Sequence, residues 1–312
     1  MNDRIAAIDL GTNTARLLIA DRNGGNFAPV CLEREIVRMG GGFCRERGLS
    51  EEAIQRGLSC LERFSDLIRR HKASHIRAVA TSAVRDAVNG GDFLQAAQRR
   101  AGIPLRVIDG IQEGRLTLAG VLAGLDRRHE HILLFDVGGG STEYTLVRNG
   151  EACFISSLPL GVVRLTEGKG TPEAMERKIR KELGALMQEM KGSSCSVDRD
   201  TVLIGTAGTA TTLAAINLRM EQYDYRLVNN YIIAQDEIQA IYRRLLPLAP
   251  DQRLGIPGLE RGREDLIIAG SLITLHTMEM FGIGSMKVSD YGLLEGLVVT
   301  DELPADPVNS VD

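Results

Sequence analysis

The chain has no tryptophan, and its 312 residues include only 7 phenylalanines and 6 tyrosines, 4% aromatic in all. So few rings cannot furnish a generous stacking platform for bases or sugars; anion recognition by backbone amides and arginine fits better. Neither sign of charge dominates, with 37 Lys and Arg against 41 Asp and Glu and a net charge of −4. No global field draws in nucleic acid or an anionic membrane, so an anionic ligand must be held by a local site. Long apolar runs are missing as well. The short stretch after Asp3 and Arg4 already contains Asp9, which makes it neither a signal peptide nor a bilayer span.

Cysteine is sparse and unpatterned. Cys31, Cys44, Cys60, Cys153 and Cys195 form no CxxC pair, and an odd count suits reduced, packed, unreactive thiols in a cytoplasmic protein better than a disulfide framework. The five histidines, His71, His75, His129, His131 and His276, make no HExxH, no HD pair and no zinc-spaced set with cysteine, which argues against a zinc hydrolase. No GxxxxGK[ST] motif occurs. Gly138 to Thr142 lacks the last glycine of a nucleophile elbow and has no evident base, so Ser141 is disfavoured as a nucleophile.

What is present is a chain 44% apolar, long enough for a sizeable core and more comfortable as two domains than one. Apolar β-type runs at Ile5–Ile8 and Arg16–Ala20 flank the turn Asp9-Leu10-Gly11-Thr12-Asn13-Thr14, and a third strand is expected within Cys31–Val37. Ser50, with Glu51 and Glu52 behind it, opens an amphipathic helix carrying Ile54, Leu58, Leu61, Phe64 and Ile68. Next come a strand His75–Ala80, a helix from about Phe93 to Ala101, a strand Leu105–Asp109 and a helix from Glu113 to Leu125. The second half repeats this grammar: strands Ile132–Val137, Thr142–Arg148 and Glu151–Leu158, then a helix from about Pro172 to Met190. Val202–Ile204 runs into GTAGT, where Thr209 is expected to open and cap a helix. A loop centred on Pro257 leads to a helix Glu264–Phe281, a strand Lys287–Ser289 and a last helix Tyr291–Leu303. The reading is α/β, with domains at 1–125 and 126–303, the last helix able to pack back on the first domain, and a disordered tail at 304–312. The matching openings at Asp9 and Asp136 suggest a duplicated fold.

Three glycine turns stand at strand ends: DLGTNT, DVGGGSTE and GTAGT. Glycine lets several backbone N–H groups converge on one anion, although each turn alone could be a tight hairpin needing positive φ. Asp9 and Asp136 close apolar strands where carboxylates hold a divalent cation against phosphate, or else cap the turn. Glu143 closes the second turn and Glu113 opens the helix after Gly110. One could take a proton from an attacking water while the other holds the water or the metal; Glu113 could equally be a helix N-terminal residue favoured by the macrodipole. Arg85, after Thr81 and Ser82, could fork onto a phosphate or pair with Asp86.

The segments AAIDLGTNTARLLIA, ATSAVRDAVN, IDGIQEGR, LLFDVGGGSTEYTLV, SLPLGVVRLTE, IGTAGTATTLAAI and SDYGLLEG run in one order over nearly the whole chain, and together they resemble the exopolyphosphatase / guanosine pentaphosphate phosphohydrolase family. DVGGGSTE with ATSAVRDAVN is the specific part; DLGTNT and GTAGT are shared with sugar kinases, actin and heat-shock ATPases. The resemblance implies two ribonuclease-H-like domains of the actin/sugar-kinase superfamily with an interdomain active-site cleft, Mg²⁺ dependence, and hydrolysis of a terminal phosphoanhydride in inorganic polyphosphate or in pppGpp, a nucleotide of the stringent response. Carried across, the catalytic glutamates fall on Glu113 and Glu143. Asp9, Asp136 and Glu143 hold the metal. Thr12, Asn13, Thr14, Arg85, Gly138, Gly139, Gly140, Ser141, Gly208 and Thr209 bind phosphate. A cytoplasmic homodimer is implied as well, with no nucleic-acid or membrane partner. Two departures stand out: Gln112 where many members carry an acid, and Leu294 where SDYGLREG would place arginine. Against hydrolysis of polyphosphate stand a pppGpp 5′-phosphohydrolase, an ATP-dependent small-molecule kinase and a non-hydrolysing (p)ppGpp or nucleotide sensor.

Overall fold

Ile5 to Leu10 are buried without alternation, the pattern of a strand covered on both faces. They belong to β1 (Asp3–Leu10), the centre of a five-stranded sheet completed by β2 (Thr14–Asn23), β3 (Asn26–Ile36), β4 (His75–Ala80) and β5 (Leu105–Val107) in the order β3-β2-β1-β4-β5. β1, β2 and β3 are antiparallel neighbours, whereas β4 and β5 run parallel to β1. The computed structural model describes residues 3–23, 26–193 and 195–301, so the expected tail at 304–312 lies outside the described residues. The chain forms two units, Met1–Ala123 with Leu293–Asp312, and Gly124–Gly292.

In the first unit, α1 (Glu51–Arg70) starts where its sequence says it should. The Ser50 hydroxyl accepts from the Ala53 amide at 3.2 Å, Glu51 and Glu52 occupy the positive end of the helix, and Arg69 and Arg70 the negative end. Leu58, Leu61, Phe64 and Ile68 press into the core against Ile8, Leu17 and Ile19. After β4 come α2 (Ser82–Arg85) and α3 (Gly90–Ala101), and after β5 comes α4 (Gly110–Gly124). The strand expected to reach Asp109 stops at Val107 because Asp109 is spent on α4. Its carboxylate accepts from the Gln112 amide at 2.8 Å while the Gln112 side chain accepts from the Asp109 amide at 3.0 Å, a reciprocal cap.

The second unit holds six strands, β6 (Ile132–Val137), β7 (Thr142–Arg148), β8 (Glu151–Leu158), β9 (Val202–Thr206), β10 (Ile232–Ala234) and β11 (Ser285–Val288), ordered β10-β11-β9-β6-β7-β8. An antiparallel trio β6-β7-β8 followed by parallel β9 and β11 repeats the plan of the first sheet, so the two Asp-glycine openings belong to a repeated topology. Its helices are α5 (Val162–Lys169), α6 (Pro172–Gly192), α7 (Ala207–Asn217), α8 (Tyr225–Val228), α9 (Gln235–Leu245), α10 (Pro250–Arg253) and α11 (Ile267–Phe281). Every residue of α11 from Ile267 to Met278 is buried, as expected of a helix apolar on all sides. It begins later than the expected Glu264, whose carbonyl accepts from Arg253 Nη1 at 2.7 Å and whose carboxylate takes the Gly262 amide. The loop centred on Pro257 leads into it as expected, and α8, β10, α9 and α10 lie before that loop, where no element was expected.

The final helix, α12 (Leu293–Val299), returns to the first unit. Leu293, Leu294, Leu297 and Val298 pack with Ala7, Leu18, Val79, Ile108 and Leu116, and Gly296 fits so close to α4 that a Cβ there would lie 1.9 Å from the Leu116 carbonyl oxygen. Leu294 is therefore a core residue at the position where the family resemblance leads one to expect arginine. Arg77 donates from Nη1 to the carbonyls of Leu297 (3.0 Å) and Thr300 and from Nη2 to that of Asp301 (2.8 Å), holding the end of α12. Among the described residues, no helix is long and apolar enough to cross a membrane.

Candidate active site

Both sheets end their first hairpin in the same way. The Gly11 amide donates to the Thr14 carbonyl at 3.0 Å, and the Gly138 amide donates to the Ser141 carbonyl, also at 3.0 Å. A Cβ on either glycine would stand 3.0–3.1 Å from that carbonyl oxygen, too near for comfort. In the first turn the Thr12 carbonyl accepts from Gly40 and the Asn13 carbonyl from Val37 and Arg38. In the second, the Gly138 carbonyl accepts from Val162, that of Gly139 from Val163 and Arg164, and that of Gly140 from Arg164 Nε at 2.9 Å. With the carbonyls so engaged, the amides of Thr12 and Asn13 and those of Gly139, Gly140 and Ser141 donate to no backbone carbonyl among the described residues, which is the arrangement of an anion nest. Gly161 presses on the second turn: a Cβ there would lie 2.1 Å from the Gly139 oxygen.

The carboxylates beside the two turns differ in partner. Asp9 pairs across the ladder with Arg16, and Asp9 Oδ2 accepts from Arg16 Nη2 at 2.7 Å and Nε at 3.1 Å. Asp136 pairs across its ladder with Glu143, so two carboxylates stand opposite each other on one face, 7% and 2% exposed. Like charges so placed repel, and a cation between them would remove the repulsion. Ser157 on β8 donates to Glu143 Oε1 at 2.7 Å and fixes that side chain. Asp9 Oδ1 and Asn13 Oδ1 are buried acceptors with no hydrogen-bond donor among the described residues. Acceptors left in this state suit water or a hydrated cation.

Among the described residues no cluster of three or more His, Cys, Asp or Glu offers a complete metal cage. Mg²⁺ does not need one, since it takes oxygen donors, keeps several waters and commonly uses one or two carboxylates plus substrate phosphates. Asp136 and Glu143 fit that donor set directly. In the first unit Asp9 is neutralised on one oxygen by Arg16.

The remaining candidates of the first unit gather at the carboxyl ends of β1, β4 and β5. Thr12 Oγ1 and Ser82 Oγ lie 2.9 Å apart, joining the first turn to α2. Arg85, at the end of α2, donates from Nη1 to the Ile108 carbonyl at 2.9 Å and stands 3.5 Å from Glu113 Oε2; the Asp86 carboxylate is the more distant partner at 3.7 Å. Glu113 is only 7% exposed, and the Asp109–Gln112 cap sets its place in the first turn of α4. Gln112 thus has a capping task that an acid could also perform.

In the second unit Gly208 and Thr209 lie in the first turn of α7. Thr209 is not the cap. Thr206 holds that position, with its hydroxyl donating to the Tyr291 carbonyl at 2.8 Å, while Thr209 packs on Gly270 of α11. Ala207 takes φ of +62°, a costly conformation for a residue with a Cβ and one that concentrates at functional sites. The Arg263 guanidinium covers Gly208 so closely that a Cβ would fall 1.7 Å from Nη1. Arg16, Ser157, Gly161 and Arg263 were not singled out by sequence reasoning. Arg16 had a signal, since it follows Asp9 at the spacing by which Glu143 follows Asp136.

Residues 18–305 match the Ppx/GppA phosphatase family. Exopolyphosphatase 2 of Mycobacterium tuberculosis is 31% identical over 313 residues, covering 95% of this chain and 98% of that protein. Among solved structures, the Aquifex aeolicus PPX-GPPA enzyme shares 31% identity at a TM-score of 0.77, with 95% of this chain and 98% of that one covered. An exopolyphosphatase from Cytophaga hutchinsonii shares 27% identity at a TM-score of 0.84, with 94% and 96% covered. The family match takes in α4, the second glycine turn and α12, and the chain therefore belongs to the Ppx/GppA phosphatase family, with two ribonuclease-H-like α/β units.

Proposed function

We propose that the protein is a phosphoanhydride hydrolase that releases the terminal phosphate of inorganic polyphosphate with the help of Mg²⁺. The observation that carries this reading is the opposition of Asp136 and Glu143 across β6 and β7, next to the amides of Gly139, Gly140 and Ser141. Carboxylates placed for a cation beside donors placed for phosphate oxygens suit a cation-bound oligoanion. Two relatives named as exopolyphosphatases favour polyphosphate over pppGpp as the substrate.

In this mechanism the amides of Gly139, Gly140 and Ser141 hold phosphate oxygens in the second unit, and Arg85 with the amides of Thr12 and Asn13 does so in the first. Glu113 accepts a hydrogen bond from the attacking water and takes its proton as the P–O bond forms. Arg85 orients the Glu113 carboxylate and lies where negative charge grows in the transition state. Ser157 keeps Glu143 turned toward Asp136. When bound by Asp136 and Glu143, Mg²⁺ would neutralise phosphate oxygens and ease departure of the shortened chain.

The deciding experiment measures phosphate release in Mg²⁺ from polyphosphate and from pppGpp, with and without Glu113→Gln. Turnover of polyphosphate with the higher kcat/KM, reduced on the order of 10²–10⁴ in the variant, is the expected result. Full activity of Glu113→Gln removes the base, and tight nucleotide binding without phosphate release would favour a sensor. The reading also takes the protein as a cytoplasmic homodimer, which light scattering of the pure protein tests in its oligomeric part.

A further inference from the structure

Outside the site, β8 carries an irregularity with a chemical consequence. It is the edge strand of its sheet. Leu146 pairs with Phe154 and Val147 with Ala152, leaving Cys153 as the extra residue of a bulge. A bulged residue drops out of the ladder, and the Cys153 carbonyl is taken instead by the thiol of Cys195, with Sγ 3.4 Å from the oxygen. The two thiols lie near enough for Cys195 to push the Cys153 thiol upward. Cys195 and Val197 rest on the core of the unit. The residues that follow are clamped to β7 by Asp198, which accepts from Arg148 Nη2 at 2.6 Å and from Thr201 Oγ1 at 2.8 Å. Both sulfur atoms are thus held next to one another by separate pieces of well-anchored backbone. Cys153 is exposed and Cys195 half-buried, so a small oxidant can reach the pair.

The other thiols have different surroundings. Cys60 is buried, and loss of solvent pushes it up to about 12, which keeps it protonated. Cys31 is half-buried and shifted upward for the same reason first. Cys44 donates to the Glu46 carboxylate at 3.0 Å. Cys60 is packed, as expected of most of the thiols, and Cys153 is the exposed one.

We propose that Cys153 and Cys195 are a reversible oxidation site, a dithiol that hydrogen peroxide converts into a disulfide joining the bulge of β8 to the segment after α6. The thiolate of Cys195 attacks one peroxide oxygen, the O–O bond breaks, and hydroxide leaves as water after taking a proton; Cys195 becomes a sulfenic acid. The Cys153 sulfur then attacks the Cys195 sulfur, the S–S bond forms, and the sulfenic oxygen departs as a second water. Two thiols and one peroxide give one disulfide and two waters, and a small-molecule thiol reverses the change. Cys195, whose Sγ already lies against the Cys153 carbonyl, takes the attacking role in this proposal and Cys153 the resolving one. Closure fastens an edge strand whose Ser157 supports Glu143.

The test treats the full chain with hydrogen peroxide, blocks free thiols with iodoacetamide, and digests without reductant for mass spectrometry. The expected result is an intact mass lower by two hydrogen atoms before alkylation, a linked peptide pair containing Cys153 and Cys195, and restoration of both thiols by dithiothreitol. Cys153→Ser should yield no linked pair and a dimedone-trapped sulfenic acid at Cys195, while Cys60→Ser should leave the linkage intact. Alkylation of both Cys153 and Cys195 after peroxide, irreversible sulfinic acid on one with the other still free, or linkage of either to a different cysteine overturns the proposal.

Discussion

Gly161→Ala probes the second glycine turn without touching a polar group. The added methyl would meet the Gly139 oxygen at 2.1 Å and the carbonyl carbons of Gly139 and Gly140 at 2.3 Å. Ordinary contacts begin near 3.4 Å, so the turn must retreat by about 1 Å against hydrogen bonds that tie its carbonyls to Val162, Val163 and Arg164. Overpacking of this kind costs about 1–3 kcal/mol, which a domain stable by roughly 5–15 kcal/mol survives. The amides at 139–141 move with the turn, and a displacement of about 1 Å at a positioning element can cost on the order of 10² in rate. The assay pairs calorimetric unfolding with phosphate release from polyphosphate. The expected variant is folded, melts several degrees lower and turns over about 100-fold more slowly. Gly184→Ala in α6, where a Cβ meets nothing within 4 Å, serves as control, with unchanged turnover and a gain of up to about 1 kcal/mol. A Gly161→Ala enzyme with wild-type turnover would refute the role given to these amides.

Three further outcomes are expected. Glu143→Gln relieves the repulsion with Asp136, so the metal-free protein gains up to about 1 kcal/mol while hydrolysis fails; a Mg²⁺-induced rise in Tm as large as that of the wild type would remove Glu143 from the metal site. Arg77→Ala frees the carbonyls at the end of α12 and should cost about 2–3 kcal/mol, read as faster hydrogen exchange at residues 297–301 with α11 unchanged. The Asp198 carboxyl is held well below the usual range by Thr201 first and then Arg148, with His131 adding to this. A depressed carboxylate stabilises the fold above its unfolded value near 3.9 and loses that contribution as pH falls through its folded value. Asp198→Asn should therefore flatten the acid limb of the stability curve below about pH 4, and an unaltered limb would speak against it.

The legible parts of the sequence were those settled by local chemistry. Ser50 with two following glutamates announced α1, the apolar run before Asp136 announced β6, and GGGST announced a tight turn. α5 gave no such warning, because it opens on Gly161 with no capping side chain and its first amides are satisfied by carbonyls of the distant turn at Gly138 and Gly139. α9 did carry a readable start, since Glu237 accepts from the Ala234 amide, yet the sequence reading names no element there. Thr209 looked like a cap because it follows a glycine, but the strand runs on to Thr206 and the helix begins earlier. The opposite partners of Asp9 and Asp136 depended on hairpin register, and the equal spacing of Arg16 and Glu143 from the two aspartates encoded that register.

The return of α12 to the first sheet has a consequence for synthesis. The core formed by Ala7, Leu18 and Val79 needs Leu293, Leu294, Leu297 and Val298, residues that leave the ribosome only after the whole intervening unit. The Gly124–Gly292 unit is continuous in the chain and can condense as soon as it emerges, whereas its predecessor waits with an uncovered apolar surface. Nascent chains stalled before Leu293 should thus engage holdase chaperones through their older, not their newer, half.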